Sequence, residues 1–451
     1  MIAAALEQAV GLIWGMWLVV LLAGTGLFLT VRLGLPQVRG FRHAIDLLRG
    51  KHDDEHDPGE ISHFQALSAA LSATIGLGNI AGVAIAVSTG GPGALVWMWL
   101  IGFIGMATKA ASCTLSVMYR QVEADGTVRG GPMYYIEQGL GPSWRPVAML
   151  FAGLVAIASF GGGNMFQANQ VAEAMGNAYG LPRWLTGLGL SIGVALVIIG
   201  GIRRIGQVAS RLVPAMCLIY IGGAVTVLLI HAADIPAAFA IIFADAFTGH
   251  AVAGGIVGEV IRQGVRRGTF SNEAGLGSAP IAHAAAKTQW PAREGLVAML
   301  GPFIDTIVVC TMTGLVIVIT GFHTRYEEIS VGVGLTAAAF DSVLTGFGTF
   351  FVNTAVLLFA FSTMISWSYY GEQGAWYLFG RRSALPFKAA FVAMIFVGAV
   401  WKLDSVVNFS DASFGLMAIP NVLALILLSG KVRAEHDRYR EEMAQRALPN
   451  R

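Results

Sequence analysis

Apolar runs of about 20 residues recur along the whole chain, separated by short clusters of charge. At about 1.5 Å of rise per residue, a helix of that length covers the ~30 Å hydrocarbon core of a bilayer. Backbone that crosses lipid must satisfy its own N–H and C=O groups, so this pattern predicts an all-α polytopic membrane protein. Composition agrees: 55% of residues are hydrophobic and 12% charged, against about 25% charged in a soluble domain. A net charge of +2 gives no reason to expect a nucleic-acid partner; the partners expected are membrane lipid and a small solute. Cys113, Cys217 and Cys310 all lie inside apolar runs and read as reduced packing residues, not as a disulfide frame or a zinc site. The first run begins near Val10 without a basic leader or a cleavage site, and reads as a retained span.

Eleven spans are expected, at roughly 10–33, 67–89, 93–118, 147–177, 185–201, 209–230, 255–287, 294–321, 343–378, 386–401 and 411–430. Basic residues cluster after alternate spans: Arg32, Arg39, Arg42, Arg49 and Lys51 after the first, Arg120, Arg129 and Arg145 after the third, Arg203, Arg204 and Arg211 after the fifth. Lys287 and Arg293, then Arg381, Arg382 and Lys388, then Lys431 and Arg433 continue the alternation, while the intervening loops are poor in them. The stretch 402–411 has the single basic residue Lys402. By the positive-inside rule the chain sits in the inner (plasma) membrane with its N-terminus outside and its C-terminus in the cytoplasm. Arg262, Arg266 and Arg267 break the alternation, and 251–268 is read as a helix at the outer interface that leads into a short broken span. Segment 119–146 is expected to run a helix along the inner surface after Gly130-Gly131, and Thr336–Ser342 to form a short capping helix. The run from Lys51 to Asp57 has the look of metal ligands but reads as a solvated loop, with nothing to close a dry shell around an ion.

Two spans are interrupted. In the second, Ile75-Gly76-Leu77-Gly78-Asn79 falls at the midpoint; in the seventh, Phe270-Ser271-Asn272-Glu273-Ala274-Gly275-Leu276-Gly277-Ser278 does the same. A dinucleotide fingerprint is excluded at the first, because it needs a preceding strand and an acidic residue about 20 positions on. The two Gly-Leu-Gly triplets start 199 residues apart, so five spans from each triplet onward form repeats of opposite orientation. Interrupted segments at corresponding positions of two such repeats point to a transport site. The expected organisation is an N-terminal span and loop (1–66), a first repeat (67–230), a second repeat (231–430) and a tail (431–451). Freed carbonyls before Gly76 suit a small hard cation, and freed amides after it suit a carboxylate.

These residues resemble the alanine or glycine:cation symporter family, of the LeuT type of fold, most closely in Ser72–Gly82, Gly130–Ile136, Asn164–Asn169, Phe270–Ala279 and Phe359–Glu372. The resemblance implies a secondary transporter and not an enzyme, with sodium as coupling ion and no other cofactor. It implies a substrate carboxylate on the amides of Leu77 and Gly78, near Thr74. It implies sodium held by carbonyls of Ser72 and Ile75 with the hydroxyls of Ser362 and Thr363, and a second cation by Asn79. The ammonium would face Phe270, Ser271, Glu273 and the Gly275–Gly277 turn, while Phe166, Gln167 and Trp367 would wall the pocket. Where Leu77 stands the family often has Thr, so one hydroxyl near the carboxylate is missing.

Each side chain has a plainer account. Ser362, Thr363, Ser366 and Ser368 can bond back to their own helix, and Phe166 and Trp367 can be packing. Gln167 and Glu273 are harder to dismiss, since polar groups at membrane depth need partners. A channel would show a repeated pore motif and a membrane enzyme a catalytic set at depth; neither occurs. Proton coupling is the nearest alternative, but it would want a titratable group where Ser362 and Thr363 stand. Finally, Lys109 and Asp305 fall at matching depths in the third and eighth spans, so an ion pair between them is expected.

Overall fold

The computed structural model describes residues 2–54, 56–247, 256–325, 332–401 and 403–447. The helices that frame the site are α1 (Met16–Arg32), α2 (His63–Thr74), α3 (Val83–Gly90), α4 (Ala94–Met118), α5 (Pro132–Leu140), α6 (Arg145–Phe160), α7 (Phe166–Tyr179), α8 (Arg183–Ile198) and α9 (Gly201–Ile230). They continue with α10 (Ile256–Asn272), α11 (Ala279–His283), α12 (Pro291–Ala298), α13 (Thr311–Ile319), α14 (Val333–Asp341), α15 (Gly348–Phe379), α16 (Ala384–Val400) and α17 (Leu403–Ala447). Among the described residues 7 helices are long and apolar enough to cross a membrane, or 9 if two bent pairs each count as one. One bent pair is the second expected span, His63–Thr74 with Gly78–Gly90, turned by 53° at its break.

Eleven is not reached on length and composition. Helix α8 is apolar but has only 16 residues, and α10 carries Glu259, Arg262, Arg266 and Arg267 within one helix. Of the stretch 251–268, residues 256–268 belong to one helix, and 251–255 fall outside the described residues. Helix α10 runs unbroken to Asn272, packed against α4 and α3, and buries Arg266 and Arg267. Burial is possible because both guanidinium groups share Asp411 of α17, with Arg267 Nη1 3.5 Å from Asp411 Oδ1. Burying a charge is costly unless it is paired in this way. Lys402 also lies outside the described residues.

The 119–146 segment differs from expectation too. It begins as a two-stranded antiparallel hairpin, Gln121–Val122 with Val128–Arg129. Helix α5 then buries Pro132 to Ile136 inside the protein, where Tyr135 donates to Asn421 of α17. The capping helix is present and longer than expected, as α14, and its Thr336 hydroxyl donates to the Ile80 carbonyl (3.1 Å). Described residues of the 51–57 run are tied by ordinary ion pairs such as Arg293–Asp57 (3.8 Å), and no group suited to a metal ion occurs among the described residues.

Local chemistry starts the second span where a helix should begin. Ser62 Oγ accepts from Gln65 N (3.2 Å), and Gln65 Oε1 accepts from Ser62 N (3.1 Å), a reciprocal cap. The entry of α2 is tied to the exit of α11 by backbone: Glu60 N donates to Ala285 O (2.8 Å) and Lys287 N to Ile61 O (2.8 Å). Arg120 at the end of α4 clamps that junction, donating to the carbonyls of Ala284, Ala286, Pro58 and Thr288. The two interrupted helices are therefore fixed to each other at one end, and their breaks are brought side by side.

Candidate functional site

Helix α2 stops at Thr74; Ile75 leaves the helix with ψ of 89°, and a wide-turn helix from Gly78 to Gly82 restarts the chain. Leu77 and Gly78 open that second half, where backbone N–H groups have no partner within the helix. Asn79 staples the gap. Its Oδ1 accepts from Gly76 N (2.9 Å), and its Nδ2 donates to Asp305 Oδ1 (2.7 Å). Asn79 is thus fully committed to protein partners.

The other break is built differently. Helix α10 ends at Asn272; Glu273 follows with φ of +56°, then Gly275 at +92° and Gly277 at +87°, before α11 begins at Ala279. A non-glycine residue with positive φ is uncommon and must be held by its surroundings. Here both carboxylate oxygens of Glu273 are held: Trp367 Nε1 donates to Oε1 (2.9 Å), and Ser278 Oγ bonds Oε2. Ser271 Oγ, two residues earlier, donates to Asp305 Oδ2 (2.8 Å). Asp305 sits in the wide-turn segment Phe303–Cys310 and also takes the Thr306 hydroxyl (2.8 Å), so it links the two breaks.

The two breaks touch. A Cβ at Gly78 would lie 3.1 Å from Ser271 Cα, and one at Gly76 would lie 2.5 Å from Thr363 Oγ1 and 3.6 Å from Gln167 Oε1. Gly76 is therefore required for the approach of α15 and α7 to the break. Beside it, Ser72 of α2 and Ser362 of α15 exchange bonds: Ser72 Oγ donates to Ser362 O (2.6 Å), and Ser362 Oγ to Ser72 O (3.2 Å) or to Phe359 O (2.9 Å). Thr363 Oγ1 donates to Phe359 O (3.0 Å). A hydroxyl that donates its one proton to its own helix keeps lone pairs free to accept from, or coordinate, a ligand. Gln167 Nε2 donates to Gly162 O (2.8 Å), while its Oε1 is buried with no hydrogen-bond partner among the described residues. An orphaned buried acceptor is unusual and marks a place where a donor or cation fits.

An aromatic layer borders this cluster. Phe166 meets Phe270 edge-on at 6.0 Å, Phe270 lies 4.9 Å from Phe414, and Phe414 stacks on Trp367 at 4.8 Å. Nearby, a cleft of about 480 Å³ is lined by Gln170, Glu173 and Asn177 of α7 with Val333 and Asp341 of α14 and Asn353 of α15. Gln170 lies one helical turn beyond Gln167.

Many of the expected residues meet in pairs: Ser72 with Ser362; Gly78 with Ser271; Asn79, Thr363 and Gln167 with Gly76; Glu273 with Trp367; and Phe166 with Phe270. Thr74 bonds its hydroxyl back to Ala70 and Leu71 of its own helix, as Thr363 does to Phe359. Gly275 and Gly277 turn the chain away from the first break; their nearest neighbours are Leu22, and Pro132 with Phe151. The Lys109–Asp305 ion pair is not formed. Asp305 is taken up by Asn79, Ser271 and Thr306, and Lys109, 2% exposed, makes no ion pair or hydrogen bond among the described residues. Three participants were missed. Phe414 gave no signal, being one aromatic in an apolar run. Gly162 and Gly163 did, as part of three consecutive glycines before Asn164; a Cβ on them would strike Phe414 and Trp367 at 2.5 and 2.2 Å.

Known proteins agree with this geometry. The sodium:alanine symporter family profile matches residues 1–451. The sodium/alanine symporter AgcS of Methanococcus maripaludis is 47% identical over 432 residues, 95% of each chain. The probable sodium/glutamine symporter GlnT of Bacillus subtilis is 38% identical over 94% of this chain and 88% of its own. Among solved structures, the transporter MhsT in complex with L-phenylalanine superposes with a TM-score of 0.57 at 14% identity, over 84% of this chain and 92% of that one. A manganese transporter of Eremococcus coleocola gives 0.54 at 12%, over 81% and 79%. At such identities the structures establish the LeuT-type fold alone, while the sequence match carries the family. With two interrupted helices meeting at a buried polar cluster, this chain is a membrane transporter, not an enzyme, and belongs to the sodium:alanine symporter family.

Proposed function

We propose that this chain carries a small neutral amino acid, alanine or glycine, into the cell together with sodium, by alternating access. The observation that carries the reading is the cluster at Gly76. There an interrupted backbone, the Thr363 hydroxyl and the orphaned Gln167 Oε1 come within contact of one another. Neutral oxygens without a proton-accepting side chain favour a metal cation over a proton at this point. Carbonyls of Ser72 and Ile75 with Ser362 Oγ and Thr363 Oγ1 would coordinate sodium, as hard oxygen donors suit a hard cation. The amides of Leu77 and Gly78, at the positive end of a helix dipole, would receive the carboxylate. Glu273, Ser271 and the Phe270 carbonyl would receive the ammonium, and Phe166, Phe270 and Trp367 would close the side-chain end. Asn79 belongs to the frame in this reading, since both ends of its amide are occupied by protein.

Eleven spans in two five-helix repeats of opposite orientation, with the N-terminus outside and the C-terminus in the cytoplasm, accommodate this mechanism. α8 supplies the short fifth span and α10 with α11 the broken seventh. The cleft at Gln170 and Asp341 then opens outward as the entry route. Uptake of labelled alanine into proteoliposomes, with and without an inward sodium gradient, tests the proposal. Uptake that follows a proton gradient and ignores sodium would refute it.

A further inference from the structure

Glu294, in the first turn of α12, is held between two imidazoles. His63 Nδ1, from the first residue of α2, and His283 Nδ1, from the last residue of α11, each meet one of its carboxylate oxygens. His63 is 2% exposed, and His283 and Glu294 are fully enclosed. Neither Nε2 has a hydrogen-bond partner among the described residues, and Asp53 Oδ1 lies 3.9 Å from that of His63. The cluster takes no part in the site at Gly76, yet it ties the same ends of both interrupted helices to a third helix. That third helix is fixed: a Cβ on Gly295 would lie 2.1 Å from Thr114 Oγ1 and 2.6 Å from Ala110 O of α4. Helix α2, by contrast, joins the rest of its span only through the break after Thr74, where the chain bends by 53°.

We propose that His63, Glu294 and His283 form a proton-binding latch that shuts the cytoplasmic end of the route and frees α2 when its proton leaves. The inference rests on the orientation and the alternating access of the reading above. Each imidazole–carboxylate contact needs one proton in it. An ionised Glu294 between two neutral imidazoles makes both contacts but encloses a negative charge. One further proton, on an imidazole or on Glu294 itself, keeps both contacts and leaves the cluster neutral. The ions around it do not supply that charge: Arg293 is paired with Asp57 (3.8 Å) and Glu60 with Arg203 (3.4 Å), while Asp53 and Arg120 offset each other. The other titratable neighbours are Cys113 of α4, His436 of α17, bonded to Thr114 (3.1 Å), and His43 beside Arg293. An uncompensated charge is costly to enclose, so the closed latch holds its extra proton more tightly than an imidazole in water, whose pKa is about 6.5. Once α2 swings out, His63 is hydrated and returns to that ordinary value. The latch is therefore fully favoured below about pH 6.5 and weakens as pH rises through the higher value of the closed state. Asp53, with 47% of its side chain exposed, is placed to pass the proton between the cytoplasm and His63 Nε2.

The test is the pH profile of sodium-driven alanine uptake by the purified protein in proteoliposomes, with the same pH on both faces. Wild-type uptake should rise about five-fold or more between pH 6.5 and 8.5, and by no more than about tenfold per pH unit, the limit for one proton. Glu294→Gln, whose amide can satisfy both imidazoles without a charge, should give a flat profile. His63→Gln should be flat as well, because the bridge from α2 to α12 no longer titrates. His283→Gln should keep the rise, since the His63–Glu294 pair remains. A flat wild-type profile overturns the proposal, as does a rise that survives in Glu294→Gln or one profile shared by both histidine variants. If Glu294→Gln cannot be recovered folded, His63→Gln decides: a retained rise overturns the latch and a lost one upholds it. Absence of sodium-driven uptake at every pH refutes the functional reading and the latch with it, whereas sodium-driven uptake with a flat profile refutes the latch alone.

Discussion

At Gly76 and Gly78 the backbone keeps φ out of the left-handed region, whereas Gly275 and Gly277 stand at +92° and +87°. The first pair is glycine because neighbours come too close: Thr363 Oγ1 at Gly76 and Ser271 at Gly78 occupy the space of a Cβ. The second pair is glycine because the chain must turn through conformations that L side chains resist. One triplet makes room for neighbouring helices; its counterpart redirects a helix so that Glu273 faces Trp367. The first break thus has no ionisable side chain of its own, and the second carries Glu273. The proposed site uses that asymmetry, with carboxylate and sodium met by peptide dipoles and an ammonium by an acid.

The largest expected effect lies at the turning break. Gly277→Ala combines a left-handed penalty of about 1–2 kcal/mol with overpacking of about 1–3 kcal/mol against Pro132 and Phe151. Thermal inactivation in detergent should report the sum, and an unchanged melting point would mean that the turn can relax. Asn79→Ala comes next. It leaves Gly76 N–H and Asp305 Oδ1 without Asn79, each orphan costing about 1–3 kcal/mol, and alanine binding measured by calorimetry should be lost with it.

Gly76→Ala should cost about 1–3 kcal/mol by steric conflict alone. Adding Thr363→Ala should restore stability, and uptake with the higher sodium requirement of Thr363→Ala alone; no such rescue is expected at Gly277. If Gly277→Ala were the rescuable one, the contrast between the two triplets would be reversed. The smallest effect is that of Thr363→Ala by itself. Losing one hydroxyl ligand worth about 1 kcal/mol should raise the sodium needed for half-maximal uptake about five-fold, with maximal uptake retained.

Much of this was readable before any coordinates, and the residues show why. Long apolar runs force helices through lipid whatever their neighbours, so the spans at 93–118 and 343–378 match α4 and α15 closely, while α9 starts eight residues before the expected 209. The interruptions were legible because the same Gly-Leu-Gly triplet recurs in two apolar runs, 199 residues apart. Span counting was weaker where a helix depends on partners. Helix α10 buries Arg266 and Arg267 only because Asp411, 144 residues away from Arg267, meets them, and no local pattern announces that. Helix α5 was expected along the inner surface because it lies in a loop between two spans, yet it buries Pro132 to Ile136 and Tyr135 finds Asn421.

By itself, then, the sequence determined the solvent of this protein, the places where its helices break and the kind of ligand such breaks suit, all of which follow from backbone hydrogen bonding in lipid. Tertiary structure alone decided how side chains pair across those breaks. Asp305 at the depth of Lys109 chooses Asn79, Ser271 and Thr306 instead, because three fixed donors at hydrogen-bond distance surround it while the lysine lies farther off. Depth along a helix is a one-dimensional quantity that spacing can supply. Azimuth around it is set by how glycines such as Gly76 and Gly163 let neighbouring helices close in, and only the packed molecule contains it.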